Sequence, residues 1–280
     1  MLFYIIHVMS QPDSISKCKD DIRSKVAIND AVITRNTMVT SERLKTVLHL
    51  WSDVLARGLP GDWIETGTFK GGTSLLAAKI ARAAYESPVC PHKLHRTIWL
   101  ADSFQGLPYP TATDIVMDDR AAREVESNGG RGARMDKPGS YSGYGGLHYV
   151  QTLFSQEGFV NTSSKHITVK FLPGWFHNTL PSARIDKIAI LRLDGDMYSS
   201  TMVALQNLYS KLEPSGFLII DDYGWWIQCK HAVDDYFRTH EGWMPALMRD
   251  GVTGRWMQKP LHAPTTPRRS ESDHQDVYIR

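Results

Sequence analysis

Two apolar runs in this chain end on pairs of carboxylates. Ile188-Ala189-Ile190-Leu191-Arg192-Leu193 runs into Asp194-Gly195-Asp196, and Phe217-Leu218-Ile219-Ile220 runs into Asp221-Asp222. Each pair sits where a buried strand should end, because short continuous apolar runs suit strands covered on both faces. In an open parallel sheet, ligands bind outside the carboxyl ends of the strands, so two such tips crowded with acids make one candidate site. Clustered carboxylates repel one another without a cation, and hard oxygen donors in that number suit Mg²⁺ or Ca²⁺.

The rest of the chain supplies a frame for these strands. Residues 41 to 57 carry Leu44, Val47, Leu48, Trp51, Val54 and Leu55 at three- and four-residue intervals, which predicts an amphipathic helix ended by Gly58-Leu59-Pro60-Gly61. Asp62 to Thr66 then reads as a strand, Gly67 to Gly72 as a loop and Thr73 to Ala81 as a helix. Thr97 to Asp102 and Ile167 to Leu172 are further strands, with helices expected at Ser200 to Leu212 and Cys229 to Thr239. Such alternation implies an α/β fold with a mostly parallel, doubly wound sheet. The pattern breaks between residues 108 and 147, which are rich in Pro, Gly, Arg and Asp, and a loop that long inside a compact domain reads as a lid or a disordered segment. We therefore expect an N-terminal arm and helical cover over 1–60, a catalytic domain over 61–259 with a lid insertion at 108–147, and a flexible tail over 260–280. Within that tail, Val277-Tyr278-Ile279 is a candidate final strand.

Composition narrows the function classes. A chain of 280 residues, 42% apolar, can bury one full α/β domain. A net charge of +2 gives no broad basic field, which argues against nucleic acid or an anionic membrane as partner. Cys18, Cys90 and Cys229 are widely spaced and odd in number, so no disulfide framework and a reducing, cytoplasmic setting are expected. The apolar stretch from Met1 to Met9 lacks a basic leader and a cleavage site and reads as a short strand or packing arm, and no stretch is long enough to span a membrane. Asn161-Thr162-Ser163 matches a glycosylation acceptor that matters only in a secreted chain. Cys90, His92 and His95 lack a fourth ligand for zinc.

The turn Glu65-Thr66-Gly67-Thr68-Phe69-Lys70-Gly71-Gly72-Thr73-Ser74 has glycines where a strand must bend sharply into a helix and let a ligand touch backbone. Its spacing is not that of the dinucleotide fingerprint. A carboxylate two residues before the first glycine would repel a pyrophosphate but attract an ammonium. S-adenosylmethionine carries an ammonium, a sulfonium and no phosphate. Asp102, at the next strand tip, is placed to accept hydrogen bonds from a ribose diol. Each feature alone also fits a plain Gly-rich connection or a helix cap.

Asp194 and the Asp221-Asp222 pair can hold one cation only if their strands are neighbours; otherwise they read as caps for helices beginning near Ser199 and Trp226. An alcohol bound to a divalent cation loses its proton readily, and Asp196 is placed to take it. His148 and His177 are rival bases. Trp175, Phe176, Trp225 and Trp226 lie just beyond strands, where rings stack on adenine, line a substrate cleft or simply pack in the core.

Several motifs occur together and in order. Trp63-Ile64-Glu65-Thr66-Gly67 with Lys70-Gly71-Gly72, Ala101-Asp102-Ser103-Phe104-Gln105-Gly106-Leu107-Pro108, and Gly174-Trp175-Phe176 with Thr179-Leu180-Pro181 are followed by Leu191-Arg192-Leu193-Asp194-Gly195-Asp196-Met197-Tyr198 and Ile219-Ile220-Asp221-Asp222-Tyr223. Together they resemble the macrocin O-methyltransferase family, from about Thr37 to Met257, with Thr37-Met38-Val39 and Gly254-Arg255-Trp256 as outlying matches. These are Mg²⁺-dependent, S-adenosylmethionine-using enzymes that methylate hydroxyls of sugars or phenol-derived groups in antibiotic biosynthesis. The resemblance implies a class I methyltransferase, Rossmann-like sheet. It implies that Asp194, Asp221 and Asp222 hold the metal and that Asp196 is the base. It implies a cofactor site formed by Met38, Glu65, Thr66, Gly67, Gly71 and Thr73, together with Ser74, Asp102, Ser103, Gly174, Trp175 and Asp194. It further implies a homodimer, a cover near Met38 and a small hydroxylated acceptor. The 85–97 insertion, the Gly-rich 127–147 stretch and the long tail depart from the family pattern and bear on the substrate.

Two other classes compete with this reading. A nicotinamide-dependent oxidoreductase would use the same fold but needs a glycine spacing that is missing here. A non-catalytic cofactor-binding scaffold would carry a broken acid cluster, and this cluster is complete.

Overall fold

The computed structural model describes residues 12–115, 140–144, 146–160, 166–262 and 264. Its centre is a seven-stranded sheet. Five parallel strands, β1 (Asp62–Thr66), β2 (Arg96–Asp102), β3 (Ile167–Pro173), β4 (Ile188–Leu193) and β5 (Leu212–Ile220), are extended by an antiparallel edge of β6 (Met248–Asp250) and β7 (Gly254–Gln258). The order across the sheet is β3-β2-β1-β4-β5-β7-β6. The chain thus reverses its direction of travel between β1 and β4, which opens a crevice at their carboxyl ends.

Alternation along each strand divides the core in two. Trp63, Ile98, Leu100, Phe217 and Ile219 face one side, while Ile64, Trp99, Ala101, Leu218 and Ile220 face the other. The first side is covered by α1 (Pro12–Lys25), α2 (Ala31–Thr34), α3 (Ser41–Arg57), α4 (Gly72–Glu86) and α5 (Leu147–Gln156). The second is covered by α6 (Phe176–Thr179), α7 (Tyr198–Leu208) and α8 (Ile227–Tyr236). The α3 helix follows from its sequence: Glu42 and Arg57 sit at the ends that suit their charges, Leu44, Val47, Leu50, Trp51 and Val54 are buried, and Gly58 closes it in a left-handed conformation.

The expected strands and parallel sheet are present. The expected helix at Ser200–Leu212 is instead α7 followed by a short 3₁₀ turn, because Leu212 already opens β5. The antiparallel edge is an addition to the expected sheet, and α1 lies within the helical cover expected over 1–60, where the sequence marks the helix at 41–57. The cysteine expectation is overturned: Cys18 of α1 and Cys90, in the connection from α4 to β2, form a disulfide, and Cys229 is free and buried. Packing of α1 against α3 and α4 brings together two residues 72 positions apart, which spacing alone does not reveal. The bond also removes the cysteine argument for a reducing compartment, and with Cys90 so engaged no zinc site forms with His92 and His95. Met1 to Met9, Asn161 to Ser163, the strand at Val277 to Ile279 and most of the 108–147 insertion lie outside the described residues. No helix among the described residues is long and apolar enough to cross a membrane.

Candidate active site

Parallel register brings the strand tips level. Thr66 pairs with Ala101 on one side and Leu193 on the other, and Leu193 pairs with Ile220. The loops beyond these residues therefore share one mouth. Gly67 adopts φ 86° and donates its amide to the Ala101 carbonyl at 2.9 Å. A Cβ there would lie 1.7 Å from the Asp194 carbonyl oxygen, so only glycine lets the β1 and β4 loops touch. The Asp194 amide donates to the Thr66 carbonyl at 2.8 Å and the Asp221 amide to the Leu193 carbonyl at 2.9 Å. Neighbouring strands thus carry the acids together, and carboxylate oxygens of Asp194, Asp221 and Asp222 lie within 4.8 Å of one another.

Two arginines stand among these acids. Arg192 is 1% exposed, and its Nη1 donates to Glu65 Oε1 and to Asp194 Oδ2, each at 2.6 Å, while its Nη2 donates to Asp221 Oδ1. Arg43, from the first turn of α3, donates to Asp221 Oδ2 at 2.5 Å. The Ser74 hydroxyl donates to Glu65 Oε2. Burial would depress the Arg192 guanidinium, but Asp221, Asp194 and Glu65 outweigh it and raise its pKa well above the ordinary value. Burial is also the largest influence on Glu65, raising it to about 7 against the opposing pull of Arg192 and Ser74. Burial, then the charge of Asp221, raises Asp194; burial, then Asp196, Asp194 and Asp221, raise Asp222 well above the carboxylate range. The arginines therefore offset only part of the clustered negative charge.

This residue set fits a hard divalent cation. Asp222 is buried and its Oδ2 has no hydrogen-bond partner among the described residues, which is costly for a carboxylate oxygen left that way. All the donors are carboxylate oxygens, and those already bonded to arginine keep a second acceptor position. The N-cap positions of α7 and α8 are held by Met197 and Trp226, so none of these acids stands at a helix cap, as the capping alternative requires. Among the described residues no other cluster of metal-ligating side chains appears.

Asp196 borders the same space in a strained backbone. Its φ is 60°, and the Met197 amide donates across it to the Gly195 carbonyl at 2.6 Å, a γ-turn arrangement. The space is a cavity of about 790 Å³, in the range of small-molecule sites. Of the residues expected around a cofactor, Met38, Glu65, Gly67, Thr73, Asp102, Ser103, Trp175 and Asp194 line it. Thr66, Gly71, Ser74 and Gly174 are not in its lining: Thr66 and Ser74 are buried, Gly71 precedes α4, and Gly174 donates to the Asp102 carbonyl at 2.9 Å. The Asp102 carboxylate is oriented by the amides of Thr68 at 2.6 Å and Phe104 at 2.7 Å.

His177 lines the cavity, as do Trp175, Phe176, Trp225 and Trp226, whereas His148 is exposed at the start of α5 and outside that lining. The segment around Met38 is tied down by a hydrogen bond between the Thr37 and Thr73 hydroxyls at 2.9 Å and by the Gly72 amide donating to the Asn36 carbonyl at 2.9 Å. Sequence reasoning missed Arg43 and Arg192. A charged residue inside the otherwise apolar β4 run was the available signal for Arg192; nothing local marked Arg43.

A sheet with this order, one reversed strand next to its edge, and a Gly-rich β1 turn beside acid-tipped strands defines a class I methyltransferase. The profile of the macrocin-O-methyltransferase (TylF) family matches residues 2–129 and 147–259. The chain is 38% identical over 201 residues to an 8-demethyl-8-(2,3-dimethoxy-alpha-L-rhamnosyl)-tetracenomycin-C 4'-O-methyltransferase of Streptomyces olivaceus, covering 72% of this chain and 67% of that protein. It is likewise 38% identical over 205 residues to a mycinamicin III 3''-O-methyltransferase of Micromonospora griseorubida, covering 73% and 71%. Its fold is similar to that of the O-methyltransferase NovP, with a TM-score of 0.64 and 28% identity over 88% of this chain and 98% of that one. The chain belongs to the macrocin-O-methyltransferase family, and it is an S-adenosylmethionine-dependent O-methyltransferase.

Proposed function

We propose that the protein methylates a hydroxyl of a small glycoside or polyhydroxylated natural product, with a divalent cation, Mg²⁺ by preference, held by Asp194, Asp221 and Asp222. The observation that carries this reading is the partnerless Asp222 Oδ2 within an acid cluster that shares one cavity with the β1 turn. The tetracenomycin relative is named for a rhamnosyl compound, which supports a sugar-bearing acceptor. Bound at the acids, a divalent cation supplies acidification of the acceptor hydroxyl.

The chain's own residues do the rest. Asp196 accepts the hydroxyl proton as general base. The methyl carbon leaves the sulfonium sulfur and bonds to the acceptor oxygen, giving S-adenosylhomocysteine and an ether. Asp102 and Ser103 suit the ribose hydroxyls, and Glu65 suits the ammonium through the acceptor positions that Arg192 and Ser74 leave. Residues up to about 60 serve as the cover over the domain at 61–259, a reading supported by Met38 in the cavity lining. We include a homodimer in the reading on the strength of the family resemblance.

The test is methyl transfer from S-adenosylmethionine to a panel of glycosides with free hydroxyls, scored by mass spectrometry. Methylation of one or more glycosides, lost in chelator and restored by Mg²⁺, is the expected result. Turnover unaffected by chelator would overturn the metal assignment.

A further inference from the structure

The start of the insertion carries a buried carboxylate that the reaction above does not use. Asp114 is 0% exposed and accepts four hydrogen bonds. The Thr111 amide (2.9 Å), the Thr111 hydroxyl (2.7 Å) and the Ser199 hydroxyl (2.7 Å) donate to Oδ2, and the Ser199 amide (2.8 Å) donates to Oδ1. Ser199 is the second residue of α7, a helix whose own N-cap, Met197, offers no side-chain acceptor. Asp114 therefore caps α7 from a residue 85 positions away, satisfying an amide that the first turn leaves open.

That helix start also holds the turn around Asp196. The Met197 amide and the Ser200 hydroxyl both donate to the Gly195 carbonyl, at 2.6 and 2.5 Å, and Asp196 stays at φ 60° between them. A residue in that region of backbone space persists only where its surroundings over-determine it. On the other side of Asp114, Thr111 lines the cavity together with Leu107, Pro108 and Tyr109. One carboxylate thus ties a wall of the cavity to the helix that follows Asp196.

We propose that Asp114 is a positioning residue: by capping α7 from the 107–115 segment, it holds Asp196 and the cavity wall in a fixed relation to each other. This rests on the reading of Asp196 as the base. The decisive variant is Asp114→Asn, similar in size but with one acceptor oxygen replaced by a donor that opposes Thr111 or Ser199. With a glycoside that the wild-type enzyme methylates, kcat falls about 10- to 100-fold, the usual effect of losing a partner that orients a reacting group. The dissociation constants for S-adenosylhomocysteine and for Mg²⁺ alone, measured by calorimetry, stay near the wild-type values. A merely structural cap would lower Tm and leave kcat unchanged at temperatures where the variant is folded, and that result overturns the proposal.

If Asp114→Asn does not fold, Ser199→Ala removes one donor and lowers kcat about two- to tenfold, the worth of one hydrogen bond; an unchanged kcat again overturns it. If instead no glycoside is methylated by the wild-type protein, or Asp196→Asn turns over at the wild-type rate, the parent reading has failed. Hydrogen exchange then decides the cap without any acceptor: faster exchange at residues 197–201 in the variant supports it, and identical exchange there overturns it.

Discussion

At the scale of single residues, the site is a balance of buried charge. Glu65, Asp194 and Asp221 each give an oxygen to Arg192, while Asp222 keeps one oxygen without a partner among the described residues. Asp222→Asn should therefore remove Mg²⁺ binding and turnover while leaving S-adenosylhomocysteine affinity nearly intact, which calorimetry with each ligand separately can check. Asp196→Asn should behave differently, keeping Mg²⁺ binding while the rate falls by roughly 10²–10⁴, the contribution of a positioned base. Arg192→Met leaves three carboxylates without their shared cation. It should destabilise the fold by about 3–5 kcal/mol, measurable as a drop in urea midpoint. The acids were legible in the sequence because each closes an apolar run. Their arginine partners were not: Arg43 lies 178 positions from Asp221, and no local pattern records a contact of that kind.

At the scale of elements, the strands and α3 were legible because each carries its burial pattern within a few residues. The antiparallel edge was not, since β6 is the three residues Met248, Arg249 and Asp250, of which only the last is buried. The Cys18–Cys90 disulfide was missed for a related reason: helix packing makes it, and the packing is visible only once the sheet exists. Replacing both cysteines by serine should cost roughly 2–4 kcal/mol, the usual range for a bridge that closes a long loop, and appear as a lower Tm. Gly67→Ala probes the contact between the β1 and β4 loops. With φ at 86° and a Cβ 1.7 Å from the Asp194 carbonyl, alanine must push the loops apart. Both S-adenosylhomocysteine and Mg²⁺ affinities should fall in calorimetry, whereas a defect confined to one ligand would show that the loops act independently.

At the scale of the whole molecule, the strand order β3-β2-β1-β4-β5-β7-β6 puts the reversal of chain direction beside the acid cluster. One cavity is then shared by the β1 turn, the candidate metal ligands and the aromatic side chains Trp175, Phe176, Trp225 and Trp226. On the proposed reading, methyl transfer depends on a cation at Asp194, Asp221 and Asp222. The most direct measurement is the initial rate of methylation of a competent glycoside in excess chelator, then after Mg²⁺ is restored. The rate should fall to near background in chelator and recover with Mg²⁺; a full rate in chelator would mean that no cation at these acids is needed.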